Sequence, residues 1–359
     1  MAADRPPGSA DLRAVPVLDA AWSWRPDDVR AVDHLGRDAI SFGESVDLIA
    51  LPRGIRIRDG VIEADVAVTG ERAFHGLVWR VRDAETYESF YVRPHQVGNP
   101  DSVQYNPVWN GVASWQLYHD EGFWAPVEFP IGDWFTIRLV FAGLRAEVFV
   151  GDMSTPALEA TALKMPAASG GVGLLIGGPG LFVSRFAWSA EAPPFLGGGR
   201  APLPAASGIV PSWLVSDAFP EPDRPANELA PDTLDGLTWT RLDAEPSGLA
   251  NLAIVNGIRD GRNTTWARAT IRSDRRQTKA MALGFSDRAA VYLNGRALFH
   301  GADAYRSRDY RFLGSIGWFD TVFLPLEAGD NDLAIAVSED FGGWGIQARF
   351  DDLEGIGLG

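Results

Sequence analysis

The chain has 359 residues, enough for two domains with substantial cores, and its 46% hydrophobic and 22% charged content is that of an ordinary soluble globular protein. Its net charge of −15 argues against nucleic acid and anionic membrane surfaces as partners, because phosphates demand a basic face. The absence of cysteine excludes disulfides, thiolate metal sites and cysteine nucleophiles.

The chain opens Met1-Ala-Ala-Asp-Arg-Pro-Pro-Gly, without the apolar core of a signal peptide, and no apolar run reaches membrane-spanning length, so no membrane insertion is expected. Lack of cysteine suits the periplasm or the exterior, the location the sequence suggests, as well as the cytosol.

From there strands follow one another. In Val61-Ile-Glu-Ala-Asp-Val-Ala-Val the residues alternate, with Glu63 and Asp65 on one face and Ile62, Ala64 and Val66 on the other. Strands are predicted next at 75–83, 89–94, 114–118, 135–141, 146–151, 171–176 and 182–188. Glu191-Ala-Pro-Pro-Phe-Leu-Gly-Gly-Gly reads as a linker by composition. Strands resume at 265–273 and 279–286. Ala289-Ala-Val-Tyr-Leu-Asn-Gly-Arg-Ala-Leu-Phe is a hairpin, since Asn294-Gly295 is the strongest two-residue turn signal. Strands at 320–326, 332–338 and 344–350 complete the chain. The expected fold is all-β, two antiparallel β-sandwich (jelly-roll) domains: 1–190, a linker at 191–212, and 213–359.

The stretch from Tyr91 to Tyr118 carries the densest chemistry. It places Arg93, Gln96, Asn99, Gln104, Asn106, Asn110 and Gln116 among Tyr91, Trp109 and Tyr118. Amides and guanidinium groups satisfy paired hydroxyls, and flat aromatic rings cover the apolar face of a sugar. A long self-bonded loop at a sheet edge would have the same composition. On the preceding strand His75, Leu77 and Trp79 share a face, and His75 and Trp79 are expected beside Tyr91 and Arg93 on one surface. Glu63, Asp101 and His95 are the acid/base candidates, with Arg93 orienting the ligand. Glu63 and Asp65, two apart on a strand, project about 7 Å apart, a separation compatible with glycoside hydrolysis and equally with a solvated sheet face.

No histidine pair has zinc spacing, and no cofactor motif is present. A structural calcium ion could be held at Gly329-Asp-Asn-Asp or Asn99-Pro-Asp, turns that Asx geometry explains equally well.

Residues 36–189 resemble concanavalin A-like lectin/glucanase sandwiches, in the laminin-G-like and 3-keto-disaccharide hydrolase-like branches. The resemblance rests on Arg58-Asp-Gly-Val-Ile-Glu-Ala-Asp-Val, Gly76-Leu-Val-Trp-Arg, Tyr87-Glu-Ser-Phe-Tyr-Val-Arg-Pro, Trp134-Phe-Thr-Ile-Arg-Leu-Val-Phe and Ala146-Glu-Val-Phe-Val-Gly. The Glu-x-Asp-x-x-Glu strand of sandwich glucanases is not among them. Residues 210–354 resemble a galactose-binding-like jelly roll through Val291-Tyr-Leu-Asn-Gly-Arg-Ala-Leu-Phe and Phe323-Leu-Pro-Leu-Glu-Ala-Gly-Asp-Asn-Asp-Leu. These resemblances imply a carbohydrate-active protein whose partner is a glycan, bound as ligand or, in a glycoside hydrolase-like enzyme, as substrate. The alternative is a non-catalytic adhesion or scaffolding protein that uses its aromatic loops for protein contacts. Oligomeric state is left open.

Overall fold

A computed structural model describes residues 11–18, 22–43, 47–119, 122–199 and 206–359. Contacts divide the chain into two units. One comprises Met1–Val108 and Asp120–Pro202, the other Trp109–His119 and Leu203–Gly359. Each is built almost entirely of antiparallel strands, as the alternating β-branched and aromatic segments require.

The first unit is a sandwich. One sheet runs Leu158–Ala160, Arg145–Val150, Trp134–Ala142, Gly60–Val68, Leu181–Ser189, Arg37–Phe42, Val29–His34 in spatial order. The other runs Val103–Trp109, Thr86–Val92, Phe74–Asp83, Gly170–Gly177, Asp47–Ala50. Alternate residues of both meet in one core: Ile62, Ala64, Val66 and Leu139 from the first sheet, Leu77, Trp79, Phe90 and Leu174 from the second. Glu63 and Asp65 accordingly take the opposite face, as alternation predicts.

One buried ion pair interrupts this apolar layer. Arg80 lies 3.3 Å from Glu88, with only 2% and 0% of their side chains exposed. Burial pushes the Glu88 carboxyl up despite the guanidinium beside it. Tyr105 Oη and the Met165 amide donate to Glu88 Oε1 at 2.9 and 3.0 Å, supplying the hydrogen bonds that a buried carboxylate needs.

The second unit repeats the architecture. Its larger sheet runs Trp239–Asp243, Ser212–Ser216, Arg262–Ser273, Gly329–Ser338, Arg288–Leu293, Arg296–Ala302, and its smaller one Leu249–Asn251, Gly345–Phe350, Gln277–Ser286, Asp320–Leu326. Inward residues such as Ala267, Ile271, Ile335, Val291, Leu283 and Ile346 are fully buried. The predicted hairpin turn is present, with Asn294 and Gly295 at φ of +50° and +81°.

Two expectations need correction. Residues 114–118 form no strand. They make a turn in which the amides of Leu117 and Tyr118 both donate to Ser114 O, at 3.0 and 3.2 Å. The Gln116 backbone then bonds to Gly342 and Ile316 of the second unit. Sequence reading also overlooked the strand Val103–Trp109, whose asparagine and proline suggested a loop.

Residues 191–199, linker-like in composition, are tied to the Arg145–Val150 and Leu158–Ala160 strands. The amides of Leu196 and Gly197 donate to the buried Glu147 carboxylate at 2.8 Å each, and the Gly199 amide donates to Glu159 at 3.0 Å. No helix among the described residues is long and apolar enough to cross a membrane.

Candidate functional site

The register of three strands builds the site. Tyr91 pairs with Gln104 on one side and Gly76 on the other, so all three occupy the same face of the second sheet. That face is opposite to the core-facing Phe90 and Val92. Backbones come close at Gly76, where an added Cβ would lie 1.9 Å from Phe90 O. Phe74 shares the parity of Gly76, and its ring meets the Tyr91 ring edge-on at 5.4 Å.

Arg93 organises the polar part. Its Nη2 donates to Gln104 Oε1 at 2.6 Å, and the Tyr91 hydroxyl donates to the same oxygen at 3.0 Å. Its Nη1 donates to the Asp101 carbonyl and lies 3.2 Å from the Asp101 carboxylate. The guanidinium carbon stands 5.1 Å from the Tyr91 ring centroid and 5.8 Å from that of Phe74, within cation–π range. Arg72 approaches Phe74 as well, at 5.6 Å.

Beyond Arg93 the chain makes a single 3₁₀ turn, Pro94–Gln96. Proline suits its first position, where no N–H is required. Amide donation from Gln96 to Arg93 O and from Ser102 to Asn99 O closes the loop on itself. His95 lies 5.7 Å from the Phe74 ring, edge to face. Burial lowers its pKa, and the charges of Arg72 and Arg93 lower it further against the opposing pull of Asp101, so the imidazole is neutral at neutral pH. Both of its ring nitrogens and Gln96 Oε1 are shielded from solvent and have no hydrogen-bond partner among the described residues.

The site thus gathers Tyr91, Arg93, His95, Gln96, Asp101 and Gln104 from the sequence-predicted set. Asn99 stands exposed in the same loop, and Asn106 is buried one cross-strand pair beyond Gln104 on the same face. Phe74 and Arg72 were missed. Their signal was available in part, since Phe74 shares the alternation of Gly76 and Val78.

Other predicted residues lie elsewhere. His75 and Trp79 do not stand beside Tyr91; they face the core with Leu77, and both are buried. His75 donates or accepts through Nε2 at 2.9 Å from Pro179 O; a carbonyl can only accept, so Nε2 carries the proton. Desolvation lowers its pKa to about 4. Trp79 packs on Tyr105 and Phe141.

Glu63 belongs to the other sheet, on that sheet's outer face. Arg138 Nε donates to its Oε1 at 2.5 Å and Arg185 Nη1 to its Oε2 at 3.0 Å, so it shares no surface with His95. Trp109 ends its strand and groups with the second unit, as do Asn110, Gln116 and Tyr118. The last three bind within that unit. Asn110 Nδ2 donates to Ala253 O at 2.8 Å, Gln116 Nε2 donates to Leu313 O at 2.8 Å, and the Tyr118 hydroxyl donates to Glu245.

Among the described residues no group of three or more His, Asp or Glu is placed to hold a metal ion. In the two oxygen-rich turns, Asn331 Oδ1 accepts from the Glu327 amide and Asn294 Nδ2, and Asp101 faces Arg93.

No family model matches the chain, and no curated protein matches it. Among solved structures, the carbohydrate-binding module CBM66 from Bacillus subtilis is similar at 16% identity over 46% of this chain and 94% of its own, with a TM-score of 0.34. A xylan beta-1,4-xylosidase from Bacillus halodurans aligns at 13% identity over 52% of this chain and 41% of its own, TM-score 0.34. Domain 4 of the extracellular arabinanase AbnA from Geobacillus stearothermophilus, solved with arabinotriose, aligns at 11% identity over 47% of this chain and 77% of its own, TM-score 0.32.

Proposed function

We propose that the first unit binds a neutral, polyhydroxylated ligand, a glycan, at the Phe74–Tyr91–Arg93–His95 cluster. The observation that carries this reading is the set of three shielded, unpartnered polar atoms on His95 and Gln96 beside an aromatic ring. A neutral imidazole offers one donor and one acceptor, and the Gln96 carbonyl offers a further acceptor. Hydroxyl groups on adjacent sugar carbons need that mixture, whereas a fully charged ligand does not. Phe74 supplies the flat apolar surface for the C–H face of the ring. Arg93, Gln104 and Tyr91 hold one another in place and so preorganise the wall at no further entropic cost on binding.

Binding without cleavage is the better-supported form of this function. Glycoside hydrolysis calls for two carboxyl groups flanking one bond, roughly 5–9.5 Å apart. Glu63 lies on a strand of one sheet and Asp101 in the loop between two strands of the other; Glu63 faces Arg138 and Arg185, and Asp101 faces Arg93.

The test is a glycan array followed by titration calorimetry on the full chain. Phe74→Ala and His95→Ala are each expected to weaken binding at least tenfold, while Glu63→Gln leaves affinity unchanged. Undiminished binding in both of the first two variants removes the site. Product release from an oligosaccharide panel, lost in Asp101→Asn, would show that the protein also cleaves.

A further inference from the structure

A cavity of about 340 Å³ in the second unit is lined by Ser212, Trp213, Leu214, Arg241, Arg268 and Thr270, together with Ala269 and Gly359. We infer that it is a binding site for an oxyanion carried on a small organic body. Leu214 pairs directly with Arg241 on one neighbouring strand and with Arg268 on the other, so the two arginines flank it on one face of the sheet. Leu214 itself is 44% exposed, on a face where alternation would favour a polar residue.

Both arginines are oriented by carboxylates that use only Nε. Arg268 Nε donates to Asp332 at 2.5 Å, and Arg241 Nε donates to Asp243 at 3.0 Å. Their terminal Nη groups have no hydrogen-bond partner among the described residues, and neither have the hydroxyls of Ser212 and Thr270. The lining therefore presents two guanidinium forks and two hydroxyl donors around an apolar floor. Arg268 is further steadied by the Trp239 ring, 5.9 Å away.

Such a set recognises a carboxylate or phosphate by paired N–H donation, while Leu214 accepts the carbon skeleton. The orienting aspartates offset the net charge, so selectivity comes from directed hydrogen bonds and affinity is modest. The site is independent of the glycan cluster in the first unit. It fits a second ligand class, an acidic sugar or a phosphate monoester.

Calorimetric or NMR titration in low-salt, phosphate-free buffer distinguishes the sources, using galacturonate, glucose 6-phosphate, inorganic phosphate and neutral galactose as probes. Saturable binding is expected for the organic anions and not for galactose at this site. Arg241→Gln and Arg268→Gln should each weaken it at least fivefold. Leu214→Ser should weaken the organic anions but leave inorganic phosphate unchanged. Preference for galacturonate assigns a uronic acid, and preference for glucose 6-phosphate assigns a phosphate ester. Failure of every anion to saturate, or binding that survives in the Arg241→Gln/Arg268→Gln double variant, overturns the proposal. Thermal unfolding of each variant separates loss of the site from loss of the fold.

Discussion

His75 makes the first unit sensitive to acid in a defined window. Its imidazole is buried on the core-facing side of its strand, and desolvation lowers its pKa from 6.5 to about 4. A base whose pKa is depressed on folding contributes stability that is fully present above the unfolded value and is lost as pH falls toward the folded one. The contribution is therefore complete above about 6.5 and declines until pH is near 4. A difference of 2.5 between the two values corresponds to about 3 kcal/mol, with a slope of up to roughly 1.4 kcal/mol per pH unit. The perturbation is His75→Gln, which keeps a donor for Pro179 O and does not titrate. The assay is hydrogen exchange at the Phe74–Asp83 and Thr86–Val92 amides between pH 4 and 8, corrected for intrinsic rates. Parent and variant should diverge in slope only between pH 6.5 and 4. Equal slopes in that window, or an NMR titration of the His75 ring near 6.5, would refute the reasoning.

Glu339 behaves with the opposite sign in the second unit. Burial and the Asp287 charge raise its pKa to about 8, so its contribution is present below about 4.5 and is lost as pH rises through about 8. Glu339→Gln should gain stability relative to the parent progressively across that range, measured by urea unfolding at several pH values. Gly76→Ala drives a Cβ to within 1.9 Å of Phe90 O, and a loss of about 3 kcal/mol or more is expected in thermal unfolding, with loss of glycan binding through the displaced Tyr91. Glu147→Gln weakens a carboxylate that accepts the amides of Leu196 and Gly197 and faces Arg145. Faster proteolysis within 191–199 should follow, at a cost of about 1–3 kcal/mol to that segment's docking. His95→Gln, which keeps a donor and an acceptor but does not titrate, should remove the fall in glycan affinity expected once acid protonates the imidazole, while leaving unfolding unchanged.

Much of this was legible from alternation. Glu63 and Asp65 take the outer face because Ile62, Ala64 and Val66 are apolar and two apart, and burying those three decides the orientation of the whole strand. Asn294-Gly295 marked its turn because both residues tolerate positive φ. Tyr91, Arg93 and Gln104 were named as site residues on chemistry alone and meet within hydrogen-bonding distance.

The face that His75 shares was not legible, and the reason is geometric. Alternation states which residues of one strand lie together, but not which set of a neighbouring strand joins them. That depends on register, and here Gly76 rather than His75 stands opposite Tyr91. Glu63 failed as a partner for His95 in the same way, since strand order places Glu63 on one sheet and the turn that carries His95 after a strand of the other. The division of the Tyr91–Tyr118 stretch was hidden too. Gln116 bonds to Leu313, 197 residues away, and nothing in the local pattern of residues 109–119 announces such a partner.

The sequence by itself determined that the chain would form antiparallel strands, which residues of a strand such as Gly60–Val68 would lie together on one face, and which side-chain chemistry was on offer for a sugar. Those properties follow from local alternation and turn preference. Only the tertiary structure decided that Phe74 and His95 would close on Arg93, that His75 would be sealed in the core, and that Gln116 and Tyr118 would serve the second unit. Each of those outcomes depends on pairing between segments distant in sequence, where the burial of two apolar faces sets the register and the polar residues follow.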